Sequence, residues 1–134
     1  MAAWLAAGAE DVTVSHTSAL ALFELSDIIP DSIHLTVPRS RRHLPHLPGV
    51  TFHTSTRPPR TGHIMHRDGL PVTTPARAII DSAEFGAGPE QIEMAIGQAL
   101  ARGLTTAPLL LEEAAGHGSR VQRLVSNAIE DAGR

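Results

Sequence analysis

Apolar and polar residues alternate with a period of two in the first half of the chain. In residues 33–37, Ile33, Leu35 and Val37 alternate with a histidine and a threonine. This alternation is the pattern of a half-buried strand. Residues 50–54 repeat this pattern, and residues 63–67 form a third predicted strand. A fourth short strand is predicted after a hairpin turn, because the dipeptide that follows the third strand is typical of two-residue turns. The turn is Asp68-Gly69 and the returning strand covers residues 70–72.

Helical spacing flanks this strand region on both sides. Ser15 is a favourable N-cap for a helix over residues 16–25. Thr74 is a second capping residue, and Pro75 fits the first helical turn, where its missing N–H costs nothing. We therefore predict a second helix that ends near Phe85.

Further helices are predicted in the last third of the chain. One begins at Gly88-Pro89 and ends at Gly103, and another covers residues 106–115. Ser119 is the predicted N-cap of the last helix, whose apolar residues recur at helical spacing. This stripe favours packing in the core, and a partner-facing surface is the alternative. These apolar residues are Val121, Leu124, Val125, Ala128 and Ile129.

This order of elements predicts one α+β domain over residues 1–134. The domain would have an N-terminal helix, a small, mostly antiparallel sheet of three to four strands, and then three to four C-terminal helices. The 134 residues are 42% apolar but include only one Trp and three Phe, so the core must be aliphatic. No apolar run approaches the roughly 18 residues that a membrane helix needs. The sequence has no cysteine, which excludes disulfides and fits the expected cytoplasmic location.

The net charge of −3 conceals a segregation of charge along the sequence. Residues 1–30 contain four carboxylates and no arginine, and residues 78–134 contain eight carboxylates and four arginines. Residues 31–77 contain seven arginines against two carboxylates. Such a basic block can bind phosphates or an acidic protein surface, and it can equally be a solvated loop beside the protein's own acidic helices. The candidate partner-binding residues are Arg39, Arg41, Arg42, Arg57 and Arg60.

The eight histidines do not predict a metal centre. Zinc needs three or four convergent ligands, whereas His63 and His66 lie three apart on a predicted strand and therefore point to opposite faces. The sequence also lacks a G-x-S-x-G nucleophile motif and a glycine-rich phosphate loop. We predict no catalytic residue, metal or cofactor. A hydrolase stays an alternative, which requires a cleft that gathers histidine and carboxylate side chains.

Three stretches of the sequence carry a resemblance to a known family. They are SHTSALAL at 15–22, IHLTVPR at 33–39 and DGLPVTTPAR at 68–77, the last followed by Asp81. In order and spacing they resemble the C-terminal domain of AbiEi-type antitoxins of bacterial type IV toxin–antitoxin systems, over about residues 4–104. The residues that carry the resemblance are Ser15, His16, Asp68, Gly69, Pro75, Arg77 and Asp81.

The resemblance implies a non-enzymatic antitoxin that neutralises a cognate nucleotidyltransferase-type toxin. Family members typically place a DNA-binding winged helix ahead of this domain, and this sequence begins about where the second domain begins. The chain is therefore expected to be a short member of the family or a fragment of a longer protein. The alternative function is a DNA-binding transcriptional regulator that uses the basic segment 39–67.

Part of this resemblance has a simple structural interpretation. Arg77 and Asp81 are four residues apart on one predicted helix and can form an ion pair. The turn at Asp68-Gly69 and the helix start at Pro75 are also structural features. The arginines at 39, 41 and 42, just beyond a predicted strand, are less easily explained by folding. We therefore expect these arginines to contact a partner.

Overall fold

A five-stranded mixed sheet forms the centre of the computed structural model, which describes residues 12–39, 47–54 and 59–133. The strand order is β3-β2-β1-β5-β4. The pairs β1–β2 and β4–β5 are antiparallel, whereas β2–β3 and β1–β5 are parallel. The strands are β1 (Thr13–Val14), β2 (Ile33–Thr36), β3 (Val50–His53), β4 (Ile64–Arg67) and β5 (Leu70–Thr73).

The sheet confirms the α+β class but corrects its details. The prediction of three to four mostly antiparallel strands is wrong, because half of the strand pairs are parallel and a fifth strand is present. The added strand, β1, lies between β2 and β5, with Val14 opposite both Leu35 and Val72. It has two residues, too few to show an alternating pattern. The first described element is therefore this strand and not the predicted N-terminal helix.

The described part of the chain contains five helices, where the capping and spacing signals predict them. They are α1 (His16–Leu22), α2 (Pro75–Phe85), α3 (Pro89–Ala101), α4 (Ala107–Ala114) and α5 (Ser119–Ala132). The start of α2 is as predicted, since Thr74 Oγ1 accepts a hydrogen bond from the Arg77 N–H. Its end is as predicted too, because Gly86 adopts the left-handed conformation with φ 110°.

Two predicted helix boundaries are wrong, the C-terminal end of the first helix and the N-cap of the last. The first helix ends at Leu22 and not at residue 25, because the chain turns through Glu24, whose φ is 56°. Ser15 occupies the N-cap position of that helix, but its side chain makes no capping hydrogen bond. At the last helix Gly118 is the N-cap, so Ser119 is the first helical residue.

The core lies between the sheet and the helices and is almost entirely aliphatic, as the composition predicts. Its largest fully buried side chains include Leu35 of β2, Ile79 and Ile80 of α2, and Ile96 of α3. Phe23 is the one aromatic residue among the buried hydrophobic residues of the described segments. In the predicted stripe of α5, three members are buried and two are half-buried, which confirms its core role. Among the described residues, no helix combines the length and the apolar character needed to cross a membrane.

Candidate functional site

A polar cleft of about 230 Å³ lies at one edge of the sheet. Because β2 and β3 are parallel, their carboxyl ends meet at this edge, with Thr36 directly opposite His53. The start of α1, one face of α2 and the loop between α4 and α5 complete the walls. The lining residues are His16, Thr36, His53, Thr54, Arg77, Asp81, Glu84, Phe85 and His117.

Three histidines from different elements are in contact at the inner wall of the cleft. The rings of His16 and His53 stack, with 3.7 Å between their centroids. His34 Nδ1 lies 2.8 Å from His53 Nε2, at hydrogen-bond distance. The Phe85 ring stands edge-on to this cluster, 4.7 Å from the His53 centroid, and is 59% exposed to solvent. The cluster therefore has a buried polar side and an open aromatic side.

A chain of two hydroxyl groups leads to the ring of His16. Thr36 Oγ1 donates a hydrogen bond of 2.7 Å to Ser15 Oγ, so the Ser15 proton is available to another acceptor. His16 Nδ1 lies 2.8 Å from Ser15 Oγ, at hydrogen-bond distance. Ser15 is fully buried and serves this network rather than the helix cap.

Burial keeps the inner histidines uncharged at neutral pH. It lowers the pKa of His16 to about 3, an effect to which His53, His34 and Arg77 add by charge repulsion. The pKa of His53 falls to about 4 by burial and by repulsion from His34. Burial also lowers the pKa of His34. These imidazoles act in the cleft as hydrogen-bonding groups and not as cations.

The buried pair Arg77–Asp81 forms the adjacent wall, as the four-residue spacing predicts. Arg77 Nε lies 3.0 Å from both carboxylate oxygens of Asp81. Burial raises the pKa of Asp81, and the charge and hydrogen bond of Arg77 oppose that shift only in part. At the mouth, His117 Nδ1 lies 3.0 Å from a carboxylate oxygen of the more exposed Glu84. The cleft thus combines the Arg77–Asp81 pair, the Glu84 carboxylate beside His117, and the neutral imidazoles of His16 and His53.

The structure brings together four of the residues that carry the sequence resemblance. Ser15, His16, Arg77 and Asp81 lie in or directly behind the cleft. Asp68, Gly69 and Pro75 do not line it. They build the hairpin turn between β4 and β5 and the first turn of α2.

Only two of the five arginines that are predicted to contact a partner lie among the described residues. Arg39 lies three residues beyond the end of β2, and both it and Arg60 are exposed. The remaining candidates, Arg41, Arg42 and Arg57, lie outside the described residues. The structure therefore places only two of these arginines on the surface.

Several residues of the cleft are absent from the sequence-based predictions. His53 and Thr36 sit on alternating positions of predicted strands, but only the parallel register of those strands makes them neighbours. His117 lies in the Gly-rich loop before α5 and reaches Glu84 from 33 residues away. No local pattern indicates that contact. Phe85 could have been predicted as a site residue, because it ends the predicted helix one turn beyond Asp81.

The histidines form no metal centre in the segments 12–39, 47–54 and 59–133. No group of three or more histidine or carboxylate side chains there is arranged to hold a metal ion. His63 ends a short 3₁₀ turn and pairs with Glu113 at 2.8 Å, whereas His66 is exposed on β4. The two histidines do not lie on one strand as predicted, because His63 belongs to the 3₁₀ turn and β4 begins at Ile64.

A larger cavity of about 340 Å³ lies elsewhere on the molecule. Its walls are mostly apolar and include Val14, Leu22, Ile33 and Leu70. Asp31 is the one ionisable residue among the described residues that line it. The polar cleft is therefore the better candidate for specific recognition, although it is the smaller of the two.

Comparison with solved structures gives a likeness that concerns the fold. No family model matches the sequence, and no curated protein matches it. The structure is similar to the crystal structure of the RV2827C protein from Mycobacterium tuberculosis, with a TM-score of 0.68 and 18% sequence identity. The match covers 99% of this chain and 52% of that chain, so this chain spans about half the length of the mycobacterial protein. At this identity, the two proteins share a fold.

Proposed function

We propose that this protein is an antitoxin-like protein that neutralises a cognate nucleotidyltransferase-type toxin in a bacterial cytoplasm. One observation carries the proposal: the three stretches that resemble AbiEi-type antitoxins converge on the polar cleft. The first stretch supplies Ser15 and His16, the second supplies Thr36, and the third supplies Arg77 and, just beyond it, Asp81. Residues that are far apart in the sequence thus form one site.

A contribution to stability is a weak explanation for the buried pair Arg77–Asp81. Taking an arginine and a carboxylate out of water costs about as much as their attraction returns, so a buried ion pair is a poor source of stability. Arg77 and Asp81 are buried on the wall of a cleft and not within the apolar core. This position supports a role in recognition.

The protonation of the cleft supports binding rather than catalysis. A general base works best when its pKa lies near the operating pH. The pKa values of His16 and His53, about 3 and about 4, make both imidazoles weak proton acceptors at pH 7. We therefore propose a protein that acts through contacts and carries out no reaction of its own.

The exposed arginines extend the proposed contact surface. Arg39 follows the strand end that forms the cleft edge, and Arg60 precedes the 3₁₀ turn before β4. Exposed arginines attract acidic partners and accelerate association. We propose that Arg39 and Arg60, with the arginines at 41, 42 and 57, contact the toxin.

Co-expression with a nucleotidyltransferase-type toxin, sought first in the open reading frame beside this gene, tests the proposal. The wild-type protein is expected to restore growth, and Asp81→Asn is expected to restore it poorly, since the variant alters the cleft. Arg102→Gln is the matched control, because Arg102 is exposed and binds the carbonyl of Glu24 away from the cleft. Circular dichroism and expression level must show that each variant is folded and present. Continued growth arrest with the wild-type protein would contradict antitoxin function.

A hydrolase is the second candidate function, because the cleft gathers histidine and carboxylate side chains. His117 beside Glu84 has the arrangement of a base that a carboxylate orients. Ser15 is fully buried, which excludes it as the nucleophile, and a water molecule beside His117 would take that role. Purified protein incubated with phosphodiester and carboxylic ester substrates tests this candidate. A turnover that His117→Ala abolishes would support it, and complete inactivity would eliminate it.

A further inference from the structure

We propose that β4 pairs with β4 of a second copy of this chain, so that the two sheets join into one across a two-fold axis. The interface consists of the outer edge of β4 and the side chains of Met65 and Leu109 beside it. This surface shares no residue with the lining of the polar cleft. A dimer also goes beyond the proposed antitoxin function, which concerns one chain and its toxin.

The strand β4 lies at the end of the sheet, and no strand of the described residues lies beyond it. Its last three residues, Met65, His66 and Arg67, are exposed. The other strand at an end of the sheet, β3, is half-buried along its whole length. An uncovered edge presents unpaired backbone N–H and C=O groups and is therefore a template for another strand. The β4 edge is the more accessible of the two.

The hydrogen-bond phase of the β4–β5 hairpin shows which backbone groups of β4 point outward. The Thr74 N–H donates to the His63 carbonyl at 2.8 Å, so these two residues form a hydrogen-bonded pair. Pairs alternate along an antiparallel ladder, which puts Ile64 and His66 in non-hydrogen-bonded pairs with β5. Pro71, opposite His66, fits such a pair because it has no N–H to donate. The N–H and C=O groups of Ile64 and His66 therefore point toward the free edge.

A register centred on Met65 uses both outward-facing residues of each strand. In that register Ile64 of one copy lies opposite His66 of the other, and each such pair exchanges both of its N–H···O bonds. Met65 lies opposite its own symmetry mate at a non-hydrogen-bonded position, where side chains are closest. A register centred on Ile64 or on His66 leaves one outward residue of each strand without a partner inside β4. The two-fold pairing around Met65 is therefore the self-complementary one.

Apolar side chains beside the edge are covered by this pairing. Met65 is 43% exposed and Leu109 of α4 is 50% exposed. Both line a cavity of about 160 Å³ between β4, the start of α2 and α4. Exposed apolar side chains that share one hollow mark an interaction surface, whereas single scattered ones do not. Because Met65 lies on the two-fold axis, the second copy brings its own Met65 and Leu109 against this hollow.

One end of the edge carries a cation that forms no ion pair within the described residues. Arg67 is exposed, and alternation along β4 places it on the same face as Met65. Its guanidinium carbon lies 5.5 Å from the centre of the Phe23 ring. None of the ion pairs of the described residues includes Arg67. Its charge is therefore available to a carboxylate of another molecule.

The other end of the edge carries a carboxylate. Glu113 of α4 lies 2.8 Å from Nε2 of His63, the residue before β4. Nδ1 of His63 accepts the backbone N–H of Arg60 at 3.1 Å, so the ring is neutral and does not cancel the charge of Glu113. In the register centred on Met65, residue 67 of one copy lies opposite residue 63 of the other. The pairing thus brings Arg67 of each copy to Glu113 of the other and keeps like charges apart.

Sedimentation equilibrium of the purified chain over a range of concentrations tests the proposal. We expect a reversible dimer, and His66→Pro should weaken its association at least about tenfold, because it removes an outward N–H from each copy. That N–H makes no bond to β5, so the variant should keep its fold, which circular dichroism checks. His66→Gln is the matched control, since it keeps the N–H and should associate as the wild type does. A monomer at every concentration, or unchanged association of folded His66→Pro, would overturn the proposal.

The absence of cysteine from the sequence allows a direct test of the register. Residues that face each other at a non-hydrogen-bonded position have Cα atoms about 4.5 Å apart, within the range of about 4.4–6.8 Å that disulfides span. Met65→Cys should therefore form a disulfide-linked dimer under mild oxidation. Met94→Cys, at an exposed residue of α3, is the control and should stay mostly unlinked. Equal cross-linking of the two variants would contradict the register centred on Met65.

Exchange of the two charges tests the ionic contact between the copies. Arg67→Glu alone and Glu113→Arg alone should each weaken association several-fold, because like charges then face each other. The double variant should recover most of that affinity, since it restores opposite charges across the interface. A double variant that associates as weakly as the single variants would contradict the placement of Arg67 against Glu113.

An extended segment of the toxin is the other candidate occupant of the edge, and the growth assay separates the two. A chain that stays monomeric, with a folded His66→Pro variant that no longer neutralises the toxin, would assign the edge to the toxin and overturn the self-pairing. A monomer that neutralises the toxin normally would overturn the dimer and leave the antitoxin proposal intact.

Discussion

Arg77 Nε lies 3.0 Å from both carboxylate oxygens of Asp81, and the two side chains are 6% and 11% exposed. This pair joins two successive turns of α2 along the wall of the cleft. Glu84 and Phe85 continue the same helical face toward the mouth. One helix thus supplies the cation, both carboxyl groups and the exposed ring of the candidate site.

Removal of one partner of this pair is expected to destabilise the protein strongly. Asp81→Leu leaves the guanidinium of Arg77 buried without its carboxylate, and such changes typically cost about 3–5 kcal/mol of the free energy of unfolding. The double variant Arg77→Met, Asp81→Leu should recover most of that loss, because no buried charge remains. Urea denaturation of the two variants and the wild type measures both effects. A double variant as unstable as Asp81→Leu would show that the pair contributes by more than charge compensation.

Acidification is expected to destabilise the folded state through the buried histidines. The pKa values of His16 and His53 in the folded state, about 3 and about 4, lie below the ordinary value of 6.5. The unfolded chain therefore binds protons more readily, and stability is lost as the pH falls from about 6.5 toward 4. The raised pKa of Asp81 acts in the opposite direction and offsets part of this loss.

Urea denaturation at several pH values measures this dependence. His53→Gln should flatten it between about pH 6.5 and 4.5, because the substituted side chain does not titrate. His66→Gln is the control, since His66 is exposed on β4. Identical pH profiles for His53→Gln and the wild type would contradict the assignment of the low pKa.

Alanine substitutions at two glycines are expected to change the stability of the protein in opposite directions. Gly69 has a φ of 78° in the turn between β4 and β5, so Gly69→Ala should cost about 1–2 kcal/mol through the left-handed conformation. Gly97 lies inside α3, and outside its own helical backbone no atom lies within 4 Å of the position that an added methyl group would take. Gly97→Ala should therefore stabilise the protein by up to about 1 kcal/mol. Thermal and urea denaturation of the two variants measure the difference. Stabilisation by Gly69→Ala would contradict the assigned turn.

Most helices and the hairpin follow from local chemistry and are therefore visible in the sequence. Thr74 and Pro75 start α2, Gly86 ends it, and Asp68-Gly69 forms a turn in which both residues have positive φ. Strand direction and strand partners depend on contacts that no local pattern contains. For this reason the sequence does not predict β1, the central strand of two residues, or the parallel pairing of β2 with β3.

The same distinction between local patterns and long-range contacts applies to the candidate site. The Arg77–Asp81 pair follows from a spacing of four residues on one helix, and the structure confirms that prediction. The stack of His16 on His53 joins residues from α1 and β3, and it depends on the strand order that the sequence does not reveal. One wall of the cleft is therefore predictable from the sequence, and the other is not.

The exposed arginines provide the last prediction, which concerns partner contact. Arg39→Glu and Arg60→Glu together should weaken neutralisation of the toxin, because they reverse charge on the surface proposed to meet it. Exposed substitutions of this kind usually change stability by no more than about 0.5 kcal/mol, so the melting temperature should hardly change. Arg123→Glu, on the exposed side of α5, is the control for a charge reversal elsewhere on the surface. Growth after co-expression and thermal denaturation measure the two effects. If Arg123→Glu impairs neutralisation as much as the double variant does, net charge and not the surface around Arg39 and Arg60 governs the interaction.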